Sequence, residues 1–115
     1  MLYELAQWRV PVANSKKHLE FWDEHLEHFR RLNRKKLPII SSRVLCKNDS
    51  ETPGEETWMW IDEYENQDAY DRMYNALHAD PELAKYRQQA SSRFDALQVP
   101  GTRKTELWTE HFRLD

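Results

Sequence analysis

The sequence predicts an α+β domain in which four strands form one antiparallel sheet and two helices cover one of its faces, in the order strand, helix, strand, strand, helix, strand. Two observations support this prediction. Segments whose apolar residues recur every three or four positions alternate with segments rich in aromatic and β-branched residues, and prolines or glycines stand at the junctions. At 115 residues the chain fits a single domain, residues 1–115, with one core.

The first strand and the first helix are marked by their ends. Leu2–Val10 alternates loosely between apolar and polar residues and stops before Pro11, which has no N–H to donate to a ladder. Asn14 or Ser15 can cap the helix that follows. Its apolar stripe consists of Leu19, Trp22, Leu26 and Phe29. The basic run from Arg30 to Lys36 suits the C-terminal end of the helix dipole.

The two middle strands are predicted to form a hairpin. Ile39–Lys47 is β-branched and apolar enough for a strand. The polar segment Asn48–Glu56 contains a Pro-Gly pair and is typical of a loop. Thr57–Tyr64, with the sequence TWMWIDEY, is the strongest strand signal in the chain. We therefore expect this last strand to lie near the centre of the sheet.

From Gln67 the apolar period becomes helical again and is interrupted once, at Asp80 and Pro81. Asp80 is predicted to cap a second helical segment and Pro81 to occupy its first turn. The apolar stripe of the two segments is Ala69, Met73, Ala76, Leu77, Leu83, Tyr86, Ala90, Phe94 and Leu97. Thr105–Leu114 alternates once more and is predicted to be the fourth strand.

Composition and charge exclude several classes of partner. The net charge is only -3, with 17 basic and 20 acidic residues, so no strong field of one sign attracts nucleic acid or an anionic membrane. The single cysteine, Cys46, excludes an internal disulfide framework. No apolar run approaches the roughly 20 residues that span a bilayer, and the N-terminus lacks the pattern of a signal peptide. We therefore expect a cytoplasmic protein that binds neither nucleic acid nor membrane.

The face of the sheet without helices needs a cover. By parity along Thr57–Tyr64, Met59 and Ile61 are predicted to face the helices, and the opposite face receives Trp58, Trp60, Asp62 and Tyr64. A monomer would then expose a large patch of aromatic surface, which is rare in soluble monomers. A second copy packed about a two-fold axis would cover it. The sequence thus predicts a homodimer with a ligand cavity between the two sheets.

Three short motifs resemble a known family: Tyr3-Glu4-Leu5 with Trp8 and Pro11, the segment Trp60–Tyr64 leading into a helix, and Leu77–Glu82. Together they are similar to the NIPSNAP family within the dimeric α+β-barrel (antibiotic-monooxygenase-like) superfamily. The family's usual start reads YELR-x-Y-x-x-x-PG, whereas this chain has Ala6 in place of the arginine. The resemblance implies the ferredoxin-like βαββαβ fold and a homodimer. It implies no single activity, since superfamily relatives include cofactor-independent oxygenases, haem-degrading enzymes and small isomerases or lyases.

The candidate ligand-binding residues are aromatic or charged strand residues: Glu4, Trp8, Arg43, Trp58, Trp60, Asp62 and Trp108. The tryptophans are predicted to line a pocket for a small apolar or aromatic ligand, with plain dimer packing as the alternative for each. Asp62 and Glu4 are carboxylates whose pKa values desolvation would raise enough for acid–base work. Arg43 would hold a ligand carboxylate in a bidentate pair, or else pair with one of these acids.

Evidence for a metal or a cofactor in the sequence is weak. His25 and His28, at positions i and i+3 of the first helix, could point the same way as metal ligands, with His18 two turns earlier. No third ligand is located and no His-Glu-x-x-His pattern is present, so we expect neither a metal nor a cofactor. Three functions remain open: a small-molecule-binding homodimer, a cofactor-independent enzyme (monooxygenase-like or isomerase-like) acting on an apolar or aromatic metabolite, and a purely structural dimer without a cavity.

Overall fold

Strands and helices follow one another in the predicted order. The computed structural model describes residues 1–48 and 51–115, with residues 32–36 described by their backbone alone. Its elements are β1 (Leu2–Pro11), α1 (Ser15–Lys36), β2 (Ile39–Cys46), β3 (Glu55–Tyr64), α2 (Gln67–Ala79), α3 (Pro81–Leu97) and β4 (Lys104–Thr109). The strands form a four-stranded sheet of order β2-β3-β1-β4 in which each neighbouring pair is antiparallel. The predicted α+β, ferredoxin-like fold is confirmed.

The predicted second helix consists of two separate helices, α2 and α3, which meet at Asp80. The Asp80 side chain accepts hydrogen bonds from the backbone N–H groups of Glu82 at 2.9 Å and Leu83 at 3.2 Å. Pro81 occupies the first turn of α3, where a missing N–H costs nothing. The predicted cap and restart at these residues are therefore confirmed.

Two strand boundaries differ from prediction by two or more residues because pairing partners decide them, and three others, the ends of β1 and β2 and the start of β4, differ by one. β4 ends at Thr109 rather than Leu114, since Thr109 already pairs with Leu2, the first residue of β1. β3 begins at Glu55, earlier than predicted, because Glu55 pairs with Pro11 at the far end of β1. The predicted hairpin loop Asn48–Glu56 is shortened accordingly, and its residues 49 and 50 lie outside the described part of the chain.

The buried face of α1 is rotated from the predicted stripe. Leu19 is 56% exposed, whereas His18 and His25 are buried together with the apolar Phe21 and Trp22. The pattern failed here because a neutral histidine can be buried when aromatic side chains surround it, although sequence periodicity counts it as polar. The helix therefore contributes imidazole rings as well as aromatic rings to the core.

The predicted parity of β3 is wrong. Trp58, Asp62 and Tyr64 are buried on the helix-covered face, and Trp60 packs on the same face against α1 with ring centroids 5.0 Å from Trp22. Cross-strand register explains this, because Trp58 pairs with Trp8, whose indole belongs to the buried core. The large aromatic side chains of β3 thus fill the space between sheet and helices.

The opposite face of the sheet, which we call the helix-free face, receives Met59 and Ile61 instead. Among the described residues its apolar members are Leu5, Leu45, Met59, Ile61 and Trp108, identified by their register with one another. Leu45 and Trp108 are about half exposed. The chain therefore does leave an apolar sheet face uncovered, but with other residues than those predicted.

The core lies between sheet and helices in two clusters. One surrounds α2 and includes Phe29, Tyr64 and Met73, and the other surrounds α3 and includes Trp8 and Phe94. In the part of the chain that the structure describes, no helix has the length and apolarity to cross a lipid bilayer.

A pair of adjacent substitutions tests the corrected parity. Trp60→Glu should place a carboxylate against Trp22 and Phe29 and destabilise the fold by about 3–5 kcal/mol, from lost packing and an unpaired buried charge. Ile61→Glu, one residue further, should leave the folded structure intact because that side chain faces away from the helices. Circular dichroism with urea unfolding measures both. Equal loss of structure in the two variants would contradict the assignment.

Candidate functional site

A cavity of about 150 Å³ lies between the sheet and the helices. Strands β1 and β3 form its floor with Glu4, Trp60, Asp62 and Tyr64. The helices form its walls, chiefly through aromatic and apolar side chains: Phe21, Phe29, Tyr70, Met73, Tyr86 and Phe94. A dry apolar cavity of roughly this volume is enough to hold one benzene ring.

Asp62 is the buried polar group of the floor and is only 5% exposed. Its Oδ1 accepts a hydrogen bond from the Ser42 hydroxyl at 2.6 Å and another from the indole N–H of Trp60. Both bonds use the same oxygen, so Oδ2 remains for a ligand. Burial raises the pKa of Asp62 to about 7, outweighing these two hydrogen bonds, which lower it. The carboxyl group can therefore gain or lose a proton near neutral pH.

Three further oxygen-bearing side chains lie around this acid. Glu4, which pairs with Asp62 across the β1–β3 ladder, also lines the cavity and raises the pKa of Asp62 through charge repulsion. Tyr70 also lines the cavity, and burial, with the nearby charge of Glu4, raises the pKa of Tyr70 to about 12. Burial likewise raises the pKa of Tyr64 well above its ordinary range. Both phenols therefore stay protonated near neutral pH.

The wall opposite the sheet contains a buried imidazole. The Nδ1 atom of His25 lies 2.7 Å from the Tyr86 hydroxyl, and the two rings are stacked with centroids 5.6 Å apart. Burial, with the positive charges of His28 and Arg93, lowers the pKa of His25 to about 4. This imidazole is therefore neutral at physiological pH.

A second imidazole lies behind the cavity. The Nε2 atom of His18 accepts the indole N–H groups of Trp8 at 2.9 Å and Trp22 at 3.0 Å. Two donors on one nitrogen place the ring proton on Nδ1, and burial lowers the pKa of His18 to about 4. This group joins helix to strand and does not line the cavity.

The structure brings three of the seven predicted site residues to the cavity: Glu4, Trp60 and Asp62. Trp8 and Trp58 belong to the neighbouring core cluster. Arg43 and Trp108 are exposed and lie on the helix-free face, where Arg43 pairs with Ile61 and Trp108 with Tyr3. The predicted meeting of Arg43 with Asp62 is therefore wrong, because successive strand residues point to opposite faces.

Sequence reasoning missed several cavity residues, among them His25, Tyr70, Arg87 and Arg103. Arg87 had a readable signal, since it lies four residues after Leu83 and three before Ala90 and so shares the buried face of α3. Arg103 had none, because it precedes β4 in an irregular segment. Among the described residues, no group of three or more His, Cys, Asp or Glu side chains is arranged to hold a metal ion.

The buried histidines predict how stability depends on pH. The pKa of His18 is about 4 in the folded chain against an ordinary 6.5, so the unfolded chain binds the extra proton between these values. The contribution of His18 to the free energy of unfolding is therefore complete above pH 6.5. As pH falls towards 4, this contribution declines by on the order of 3 kcal/mol. Asp62 has the opposite effect on stability because its pKa is raised from 3.8 to about 7. Its contribution to the free energy of unfolding is complete below pH 3.8 and is lost as pH rises to 7.

His18→Gln isolates the histidine contribution from that of Asp62. Urea unfolding at pH 4, 5, 6 and 7 should show a smaller rise of stability with pH in this variant than in the unmodified protein. His111→Gln, at an exposed position after β4, is the control and should leave the pH dependence unchanged. Identical pH dependence in all three proteins would contradict a buried neutral His18.

Comparison with known proteins adds information about the fold. No family model matches the chain, and no curated protein matches its sequence. A monooxygenase from the gene ActVA-Orf6 of Streptomyces coelicolor, solved in complex with nanaomycin D, superposes with a TM-score of 0.60, 19% identity and coverage of 98% of this chain and 89% of its own. The cofactor-independent oxygenase SnoaB from Streptomyces nogalater, solved as a point mutant, superposes with a TM-score of 0.58 and 12% identity. This match covers 98% of the present chain and 95% of SnoaB.

An uncharacterised NIPSNAP domain protein from Burkholderia xenovorans has a TM-score of 0.59 and 18% identity, with full coverage of both chains. At such low identities the likeness establishes the fold and leaves the activity open. The resemblance noted in the sequence is thus confirmed at the level of fold: the chain has the ferredoxin-like α+β fold shared by these two oxygenases and the NIPSNAP domain protein.

Proposed function

We propose that this protein binds an aromatic small molecule in the cavity between sheet and helices, and that Asp62 exchanges a proton with the bound molecule. The observation that carries the proposal is a nearly buried carboxyl group, with a pKa of about 7, on the floor of a cavity walled by aromatic rings. Buried acids with strongly shifted pKa values in a cavity are typical of functional sites.

The neighbours of Asp62 support a role in binding a hydrogen-bond donor. Ser42 on the edge strand β2 and Trp60 on β3, the strand of Asp62 itself, both donate to Oδ1. These two hydrogen bonds orient the carboxyl group. A ligand hydroxyl approaching Oδ2 would meet an acceptor that is already oriented. An acid with a pKa near the working pH is also the most effective general base or acid.

A cofactor-independent oxygenase is the second candidate. The structural neighbours include a cofactor-independent oxygenase and a monooxygenase in complex with nanaomycin D, although likeness at this identity carries no activity by itself. Removal of a phenolic proton by Asp62 would produce an electron-rich phenolate, which dioxygen oxidises more readily than the phenol. The buried base beside a ring-sized cavity is the feature of this chain that favours such chemistry.

The proposal includes a homodimer that packs through the helix-free face. Leu5, Leu45, Met59, Ile61 and Trp108 give this face an apolar surface, and burying such surface stabilises association. Charged residues of both signs lie on the same face, among them Arg43 and Glu106, so a two-fold arrangement can pair opposite charges. Because the ligand cavity lies on the other side of the sheet, each copy would retain its own cavity.

The effect of pH on ligand binding tests the role of Asp62. Calorimetric titration with 4-ethylphenol from pH 5.5 to 8.5 should show affinity rising about fivefold through pH 7, because a hydrogen bond to a charged acceptor is stronger by about 1 kcal/mol. Asp62→Asn should bind without this rise, since its side-chain oxygen still accepts from Ser42 and Trp60. Glu106→Gln, on the helix-free face, is the matched control and should behave as the unmodified protein.

Absence of binding at every pH would reject the cavity as a ligand site, and a persistent pH dependence in Asp62→Asn would reject Asp62 as the titrating group. An oxygen electrode in the same titrations separates the two candidate functions. Oxygen uptake that Asp62→Asn abolishes supports the oxygenase, whereas binding without uptake supports the binding protein.

Sedimentation tests the homodimer. At micromolar concentration the unmodified protein should have twice the mass of one chain, and Ile61→Glu should have the mass of one chain with unchanged circular dichroism, because its carboxylate would be desolvated in the interface. Lys16→Glu, on the exposed surface of α1, should remain dimeric and controls for charge. A monomeric unmodified protein would contradict this part of the proposal.

A further inference from the structure

Two arginines are among the residues that line the cavity. Arg87 of α3 is half-buried and Arg103, just before β4, is exposed, so the pair marks the solvent edge of the cavity that both residues line. The guanidinium carbon of Arg87 lies 5.8 Å from the Tyr74 ring centroid, and that of Arg103 lies 5.2 Å from the Phe94 centroid. Aromatic rings of the cavity wall thus hold both cations in place.

Neither arginine is neutralised by a carboxylate among the described residues. Arg87 instead contacts the imidazole of His78, with its Nη1 atom 3.3 Å from Nε2 and 3.5 Å from Nδ1. Other arginines of the chain do form ion pairs with acids: Arg9, Arg72, Arg93 and Arg113. Two guanidinium groups that no described carboxylate neutralises, at the solvent edge of an aromatic cavity, favour a planar anion, which guanidinium groups can bind through paired hydrogen bonds.

The acidic end has the opposite preference. Burial is the largest cause of the raised pKa of Asp62, so this end of the cavity penalises charge. A neutral donor such as a hydroxyl loses less solvation free energy there than an ammonium group does. Glu4 and Tyr70 also line the cavity and add polar atoms to its surface.

The volume limits the size of the ligand body. At about 150 Å³ the cavity accepts one six-membered aromatic ring, and fused tricyclic systems exceed it. A short substituent on the ring would extend towards the solvent edge, where the arginines lie. The cavity volume limits the size of the ligand, the two arginines favour an anionic group at its outer end, and Asp62 favours a neutral hydrogen-bond donor at its inner end.

We infer that the ligand is a monocyclic phenolic acid, with its carboxylate bound by Arg87 and Arg103 at the mouth and its hydroxyl directed to Asp62 on the floor. This inference rests on the proposed function, because it assigns the ligand class of the same cavity. It adds a specificity that the fold alone does not carry, since both arginines are side chains of this chain.

A matched series of ligands tests the inference on the unmodified protein. Calorimetric titration compares 4-hydroxyphenylacetate with 4-ethylphenol, which lacks the carboxylate, with phenylacetate, which lacks the hydroxyl, and with tyramine, which carries an ammonium group instead. The phenolic acid should bind at least tenfold tighter than each of the other three. Equal binding of 4-ethylphenol, or tighter binding of tyramine, would overturn the inference while leaving the cavity as a binding site.

Variants then assign the carboxylate to the arginines. In Arg87→Gln and Arg103→Gln the preference for 4-hydroxyphenylacetate over 4-ethylphenol should fall by about tenfold, with 4-ethylphenol affinity retained as evidence of an intact cavity. Arg43→Gln, an arginine on the helix-free face, is the control and should keep the full preference. An unchanged preference in both cavity variants would overturn the assignment, and failure of every compound to bind the unmodified protein would instead reject the proposed function.

Discussion

The imidazole of His18, between the indoles of Trp8 and Trp22, is the contact on which the arrangement of helix and sheet depends. Its Nε2 atom accepts the indole N–H of Trp8, which connects α1 to the central strand β1, and also accepts the indole N–H of Trp22 within α1. The His18 Nδ1 proton is buried without a hydrogen-bond partner among the described residues, which costs roughly 1–3 kcal/mol. Aromatic contacts compensate, since the His18 ring also packs edge-on against Trp58 with centroids 4.6 Å apart.

Fixing α1 in this way determines where space remains under the helices. The aromatic side chains gather near α3, while a second cluster forms around α2, and the cavity is lined by residues of both. Asp62 lies on its floor because its position on β3 has the same parity as Trp58 and Trp60. The acid is thus buried as a consequence of the tryptophan packing, and its raised pKa follows from that burial.

The two faces of the sheet differ in what they hold. The helix-covered face holds the core, the cavity and the candidate acid, whereas the helix-free face presents Leu45, Ile61 and Trp108 to the outside. An interface on that face would not need to rearrange the cavity. The sheet itself therefore lies between the Arg43 side chain and the cavity.

Element order, the cap at Asp80 and the choice of fold were determined by the sequence itself, because apolar period, capping residues and proline positions are local properties of the chain. The candidate site was predicted less well: Glu4, Trp60 and Asp62 were identified, but on the wrong face of the sheet. In β3 both alternating sets contain apolar or aromatic residues together with acidic ones, so the strand's own pattern does not define its inner face. Only pairing with β1, where Leu2, Ala6, Trp8 and Val10 are buried, decides it.

The tertiary structure likewise decided that a histidine is core and that two arginines lie at a cavity mouth. His18 is buried only because partners distant in sequence, Trp8 and Trp58, surround it. Arg103 reaches the cavity only because β4 pairs with β1 and returns the chain to the helices. Such contacts join residues far apart in sequence, and no local pattern encodes them. The sequence by itself thus determined which elements form, and tertiary packing decided which side chains meet.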